Sequence, residues 1–177
     1  MSRALAAIGP DRRAVALTEF AFTFPILLLL FLGGYQLSDA IACKRKVGLT
    51  NRTIADLGSR NKQVVASDVD TILAAAAQVM APYRDTQAQV RLSEVYTSPA
   101  GVTTIVWSRG RNAAARAAGS SVTLPGSLRT NGTYLLMSEI TYAYDPRVRF
   151  GLVGARTLTD RLFMSPRNSD SVPCNDC

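Results

Sequence analysis

The sequence predicts an α+β protein in which an N-terminal transmembrane helix continues into a second helix and a small antiparallel sheet follows. Three observations predict it. A long uncharged apolar run lies near the start, apolar residues then recur at helical spacing, and beyond Pro82 the period changes to two. We expect a leader (1–14), a transmembrane helix (15–42), a helical stalk with a packing helix (43–82), and a β head with a cysteine-containing tail (83–177).

The apolar run covers residues 20–38, which carry no charge. As a helix it is about 28 Å long, close to the roughly 30 Å hydrocarbon thickness of a bilayer. Glu19 stands at its edge, where a carboxylate is costly in a membrane and calls for a partner. Pro25 stands inside it and removes one helical hydrogen bond, which membrane helices tolerate. The run is therefore predicted to span a membrane.

The residues around this run resemble a prepilin-type signal. A short basic leader precedes Ala14 and Val15, and Glu19 followed by Phe20 comes next, before the apolar helix. The combination of Glu-Phe with an early proline, Pro25, resembles the TadE family of tight-adherence (Flp) pilus assembly. The tail is similar to TadE-like chains as well, because an arginine-containing stretch leads to terminal cysteines.

This resemblance implies a function and a set of partners. A prepilin peptidase would cut between Ala14, where such signals usually have glycine, and Val15. The mature chain would be a non-catalytic pseudopilin or minor pilin of pilin-like plan, with Glu19, Phe20 and Pro25 serving assembly. Its partners would be the membrane, the peptidase, the major Flp pilin, other TadE/TadF-like pseudopilins and the pilus assembly platform.

Charges that flank the apolar run do not fix its orientation. Three arginines precede it, and four cations follow it: Lys44, Arg45, Lys46 and Arg52. The prepilin-type signal decides the matter, because its processing requires the leader in the cytoplasm. We therefore expect a single-pass protein of the bacterial inner membrane with a periplasmic or extracellular head.

Two other interpretations use the same stretch. Residues 40–42 before Cys43 have the small-x-small form of a signal-peptidase site, which predicts an exported lipoprotein or a secreted domain cleaved after Ala42. Against it, the apolar run exceeds the roughly 7 to 15 residues of a signal-peptide core, and Asp39 interrupts the approach to the site. The second alternative is a generic membrane-anchored binding module.

Beyond the membrane the pattern predicts a helix that breaks at residues 58–61 and a second helix that ends at Pro82. Residues 67–70 fit a capping box with Ser67 as the cap. The second helix has an apolar seam suited to core packing, formed by Val65, Val69, Ile72, Ala76 and Val79.

Four strands are predicted at residues 89–96, 102–107, 134–144 and 157–164, with a hairpin loop at 97–101. In the third, alternation places Leu136, Ile140 and Tyr142 on one face and Leu135 and Met137 on the other. The segment 108–132 has no convincing periodicity, which leaves its role open between mobility and function.

The composition excludes several chemistries. Without histidine, catalytic triads and His-ligated metals are excluded, and no cofactor motif is present. The net charge is +7, but the arginines are scattered without an aromatic-interleaved nucleic-acid motif. Cys174 and Cys177 make a weak metal site, and in an oxidising compartment we expect them to form a short-loop disulfide dispensable for the core. Cys43 is left free, acylated or paired with another chain.

Overall fold

The structure, a computed structural model, describes residues 12–146 and 153–177, with side chains from residue 15 onward. The predicted leader lies outside the described residues, except that the backbone of 12–14 begins the first helix. The elements in chain order are α1 (Arg12–Ser59), α2 (Ala66–Met80), β1 (Ala88–Thr97), β2 (Thr103–Arg111), β3 (Thr133–Tyr144) and β4 (Arg156–Met164). A long apolar helix, a second helix and a small antiparallel sheet confirm the predicted α+β class.

Helix α1 has 48 residues and is about 72 Å long at 1.5 Å per residue. It passes without interruption through the predicted end of the transmembrane segment at residue 42, and from Gln36 onward it packs against the head. It ends at Ser59, within the predicted break. Gly58 makes a close approach there, because a Cβ at this position would lie 3.0 Å from Cδ2 of Leu92.

Helix α2 starts two residues earlier than its capping sequence suggested, with Val65 at the N-cap position, so the assignment of Ser67 as the cap is wrong. The backbone N–H of Val65 donates to the Asp68 carboxylate at 3.2 Å, and the N–H of Ala66 donates to Oδ1 of Asp176 at 2.6 Å. A residue from the far end of the chain therefore takes the role that the sequence assigned locally. The predicted seam does face the core, but Leu73 and Met80 are buried where Val65 and Val79 are only half-buried.

The four strands form one antiparallel sheet in the order β2-β1-β3-β4. Strand β1 is central, with Val90 opposite Arg111 of β2 and Ile140 of β3. The predicted hairpin joins β1 and β2 through a turn in which Ser98 N–H donates to Val102 O at 2.8 Å and Gly101 has φ 78°. The strands run so that the end of β3 and the start of β4 lie beside the part of α1 that enters the head.

The main core lies between the two helices and one face of the sheet. Leu136 and Ile140 of β3 point into it, together with Val47 and Ile54 of α1 and Leu73 of α2. All five side chains are buried. The predicted alternation in β3 is confirmed, because Leu135 and Met137 lie on the opposite face in a second cluster.

The open question about segment 108–132 is answered by this second face. The first residues of the segment extend β2, and the rest returns alongside β2. There Ile105 N–H donates to Ser120 O at 2.9 Å, and Leu124 packs in the second cluster. Arg116 from the same segment donates to both carboxylate oxygens of Glu139 at 2.6 and 2.8 Å. Burial alone would raise the pKa of Glu139, but hydrogen bonds from Arg116 and Arg161 outweigh burial and lower it. The segment is thus a structural cover.

Candidate functional site: the N-terminal helix and its junction with the head

The first part of α1 is an exposed apolar helix. Every side chain from Val15 to Phe31 is exposed, and Leu17 and Phe22 reach 69% and 79%. The helix is long and apolar enough to cross a membrane, and none of its most apolar stretch is buried inside the protein. Exposed apolar surface of this extent is typical of membrane or protein contact rather than of water-facing surface. The segment is a candidate membrane anchor.

The structure brings the proposed processing and assembly residues together on this helix. Val15 is 57% exposed, and the Thr18 hydroxyl donates to its carbonyl at 2.8 Å. Glu19 lies one turn further on and is exposed; among the described side chains it has no hydrogen-bond or ion-pair partner. The side chain of Ala14 lies outside the described residues. A carboxylate in this position is open to a partner from another molecule.

The two other assembly candidates are also presented outward. Phe20 is 60% exposed and its ring stacks on Phe24, with centroids 5.3 Å apart. The helix continues through Pro25, which has no N–H to donate to the carbonyl of Ala21. The Thr23 hydroxyl donates to the Glu19 carbonyl within the same turn.

Where α1 enters the head, polar contacts fasten the two parts together. Gln36 is 1% exposed, and its Oε1 accepts the backbone N–H of Val153 at 3.3 Å. The Asp39 carboxylate accepts the Tyr83 hydroxyl at 3.0 Å and the Tyr144 hydroxyl at 2.8 Å, one on each oxygen. These contacts join α1, just after its exposed apolar part, to the residues after α2 and to the end of β3. The anchor and the head are therefore coupled at their boundary.

A cavity of about 390 Å³ opens beside this junction, lined by Asp39, Tyr83, Gln87, Tyr142 and Tyr144 among others. Burial, followed by the hydrogen bond to Asp39, raises the pKa of Tyr144. A tyrosine held protonated as a donor suits a structural bridge and not a general base, which must release its proton near neutral pH. These hydrogen bonds position the head on α1.

Cys43 lies deep in the interface between α1 and the head. It is 0% exposed, unpaired, and part of the main core. A thiol in this environment is inaccessible to a lipid or to another chain while the head is folded. Of the three fates predicted for Cys43, the free thiol is the one this packing accommodates.

The tail after β4 is anchored in the core by a buried carboxylate. Glu94 is 1% exposed; it accepts the backbone N–H of Val172 at 2.5 Å and the indole N–H of Trp107 at 3.1 Å. Trp107 also donates to Val172 O at 2.8 Å, and Val64 N–H donates to Pro173 O at 3.0 Å. Burial raises the pKa of Glu94, against the two hydrogen bonds, which lower it. The tail is thus an integral part of the head.

The disulfide follows this anchored stretch. Cys174 and Cys177 are bonded to each other, with their Cα atoms 5.6 Å apart. Asp176 lies close enough to both sulfurs to form a metal-sized group. With the sulfurs joined to each other, however, the group offers a cation one carboxylate that already accepts the N–H of Ala66. The arrangement suits a structural disulfide better than a metal site.

Sequence reasoning missed the residues that join the parts. Asp39 entered only as an obstacle to signal-peptidase cleavage, although a carboxylate that ends an apolar run is itself a signal of a buried partner. Glu94 lies in the same predicted strand as Val90, Leu92 and Val95. A lone carboxylate among such neighbours could have been predicted to be buried and to need a hydrogen-bond partner. No local pattern points to Val172.

Comparisons of the chain with models of protein families, with curated proteins and with solved structures find no match.

Proposed function

We propose that this protein is a membrane-anchored pseudopilin or minor pilin of the TadE-like class that acts in assembly of a tight-adherence (Flp-type) pilus. The observation that carries the proposal is the exposed apolar half of α1, which continues without a break into the half of the same helix that packs against the head. A lone membrane anchor needs no such rigid continuity. A subunit that joins a bundle of helices does, because the packing of its helix then sets the position of its head.

In this proposal a prepilin peptidase removes the leader between Ala14 and Val15 in the bacterial inner membrane. The new amine of Val15 lies one helical turn from the Glu19 carboxylate, at the i, i+4 spacing that brings side chains together. In an assembled bundle the amine of a neighbouring subunit takes this place. Matching the two charges in a low-dielectric setting favours one register of the subunits, because an unpaired carboxylate there is costly.

The exposed rings of Phe20 and Phe24 and the bend-prone position at Pro25 then serve packing between helices. Partners for these contacts are the major Flp pilin, other TadE/TadF-like pseudopilins and the pilus assembly platform. The junction at Asp39 transmits the register to the head, since its contacts couple α1 to the residues after α2 and to the end of β3. The protein catalyses no reaction in this account and is itself the peptidase's substrate.

Release of a lipoprotein or secreted domain after Ala42 fits the contacts less well. The cut would fall inside α1, next to the fully buried Cys43, and would remove Gln36 and Asp39 from the head they fasten. A diacylated Cys43 would need to leave the core. These costs favour a chain that keeps its N-terminal helix.

The test is a Glu19→Ala variant in cells that make the pilus, with Thr18→Ala as the matched control. Both positions are exposed on the same turn, and among the residues that the structure describes the Thr18 hydroxyl bonds only to the backbone of its own helix. We expect Glu19→Ala to insert and to be processed normally but to lose co-purification with pilin-like partners and piliation. Thr18→Ala should retain both. Normal pili with Glu19→Ala at normal levels would refute the assembly mechanism.

A further inference from the structure

Three consecutive cations follow the end of the uncharged run: Lys44, Arg45 and Lys46. The Lys44 ammonium donates to Thr159 O at 3.1 Å, which holds this side chain against β4. Arg45 and Lys46 have no carboxylate partner among the described residues, whereas Arg60 just after α1 and five arginines of the head do. The nearby carboxylate of Asp39 is engaged by two tyrosine hydroxyls. The two cations therefore keep their charge available.

These cations border a groove between α1 and the residues after α2. The juxtamembrane groove has a volume of about 650 Å³ and is lined by Ser38, Ile41, Arg45, Lys46, Leu49 and Pro82 among others. Its apolar members remain exposed, with Ile41 at 46% and Leu49 at 52%. It thus combines an apolar wall with a basic one.

The height of the groove matches the polar layer of a bilayer. Ser38 is the last residue of the uncharged run, and Arg45 is seven residues beyond it, about 10 Å along the helix axis. The headgroup layer adds roughly 5 to 8 Å on each side of the hydrocarbon core. Helical side chains lean toward the N-terminus of their helix, here the membrane side, and long cationic side chains extend further in that direction. The guanidinium of Arg45 therefore reaches phosphate level, while Ile41 lies at the acyl boundary.

We propose that the juxtamembrane groove binds the headgroup of an anionic phospholipid in the leaflet on the head side. Arg45 and Lys46 contact the phosphodiester, and an acyl chain lies along Ile41 and the exposed face of α1 below it. Two cations without an internal counter-ion suit a lipid with a net negative charge better than a zwitterionic one. The inference rests on the membrane anchoring in the proposed function, but not on pilus assembly.

The experiment uses the full chain in nanodiscs that contain phosphatidylcholine and phosphatidylglycerol at a known ratio. Native mass spectrometry after release into detergent counts the lipids that remain bound. We expect retained phosphatidylglycerol to exceed its share of the bilayer, and Arg45→Gln/Lys46→Gln to weaken the preference for phosphatidylglycerol over phosphatidylcholine about 30-fold. The matched control is Arg52→Gln, an exposed cation of the same helix about 10 Å further from the membrane, which should retain the enrichment.

Equal enrichment of phosphatidylglycerol by the double variant and the wild type would overturn the site. An equal loss of enrichment in Arg52→Gln would also overturn it, because it would indicate a diffuse effect of surface charge. Inorganic phosphate and glycerol 3-phosphate are added to the lipid-free chain in detergent. If either binds as tightly as the lipid, the site is one for free phosphate and the proposal is wrong. Glu19→Ala should keep the lipid enrichment, which separates this result from the assembly mechanism. A chain that fails to enter nanodiscs refutes the anchor and both proposals.

Discussion

Replacing Val172 by alanine should destabilise the head by about 2 to 3 kcal/mol. Val172 is 0% exposed and belongs to the core between the helices and the sheet, although it lies only five positions from the last residue of the sequence. The change removes two methyl groups at about 0.8 kcal/mol each in transfer free energy, and the cavity left behind adds to the loss. The unfolding equilibrium should shift by about 30- to 150-fold.

The assay is urea unfolding of the full chain in detergent micelles, followed by the fluorescence of Trp107. This is the single tryptophan of the sequence, and its indole donates directly to the Val172 carbonyl. The control is Val102→Ala, the same deletion at a 54% exposed position of the β1–β2 turn, which should cost less than about 0.5 kcal/mol. Equal shifts of the unfolding midpoint in the two variants would refute the packing of the tail.

Two further predictions concern the same head. Glu94 has a raised pKa when folded, so its stabilising contribution is fully present below the unfolded value of 4.5 and is lost as pH rises through the folded value. Glu94→Gln should remove this fall from the pH profile of urea midpoints, and parallel profiles would contradict the burial argument. Gly48→Ala should stabilise the fold by up to about 1 kcal/mol, and so raise Tm, because the nearest atom lies 3.9 Å from the new Cβ. Gly58→Ala should gain less or lose, because Leu92 lies at 3.0 Å; a larger gain at Gly58 would show that the close approach is absent.

The elements of the fold were predictable because each has a local cause. The change from helical spacing to alternation locates both helices and all four strands within a few residues, and Gly101 and Pro82 interrupt the pattern where the chain turns. The same reasoning placed the candidate anchor, since an uncharged run of membrane length is a property of consecutive residues.

The contacts that join the elements were not predictable in this way. Tyr144 meets Asp39 across 105 positions, and Val172 meets Glu94 across 78. No pattern within a window of a dozen residues carries such pairings. The cap of α2 shows the effect on a local prediction, because Asp176 from the tail satisfies the N–H of Ala66 at a helix start assigned to Ser67 from local sequence alone.

The central claim is that the chain is processed and works as a pilin-like membrane subunit, and the N-terminal residue of the mature chain tests it most directly. Peptide mass spectrometry of membrane fractions, from cells with an active prepilin peptidase, identifies that residue. We expect a start at Val15. A start at Cys43 would indicate release as a lipoprotein or secreted domain, and an intact Met1 would indicate a plain anchor; either result would contradict the account.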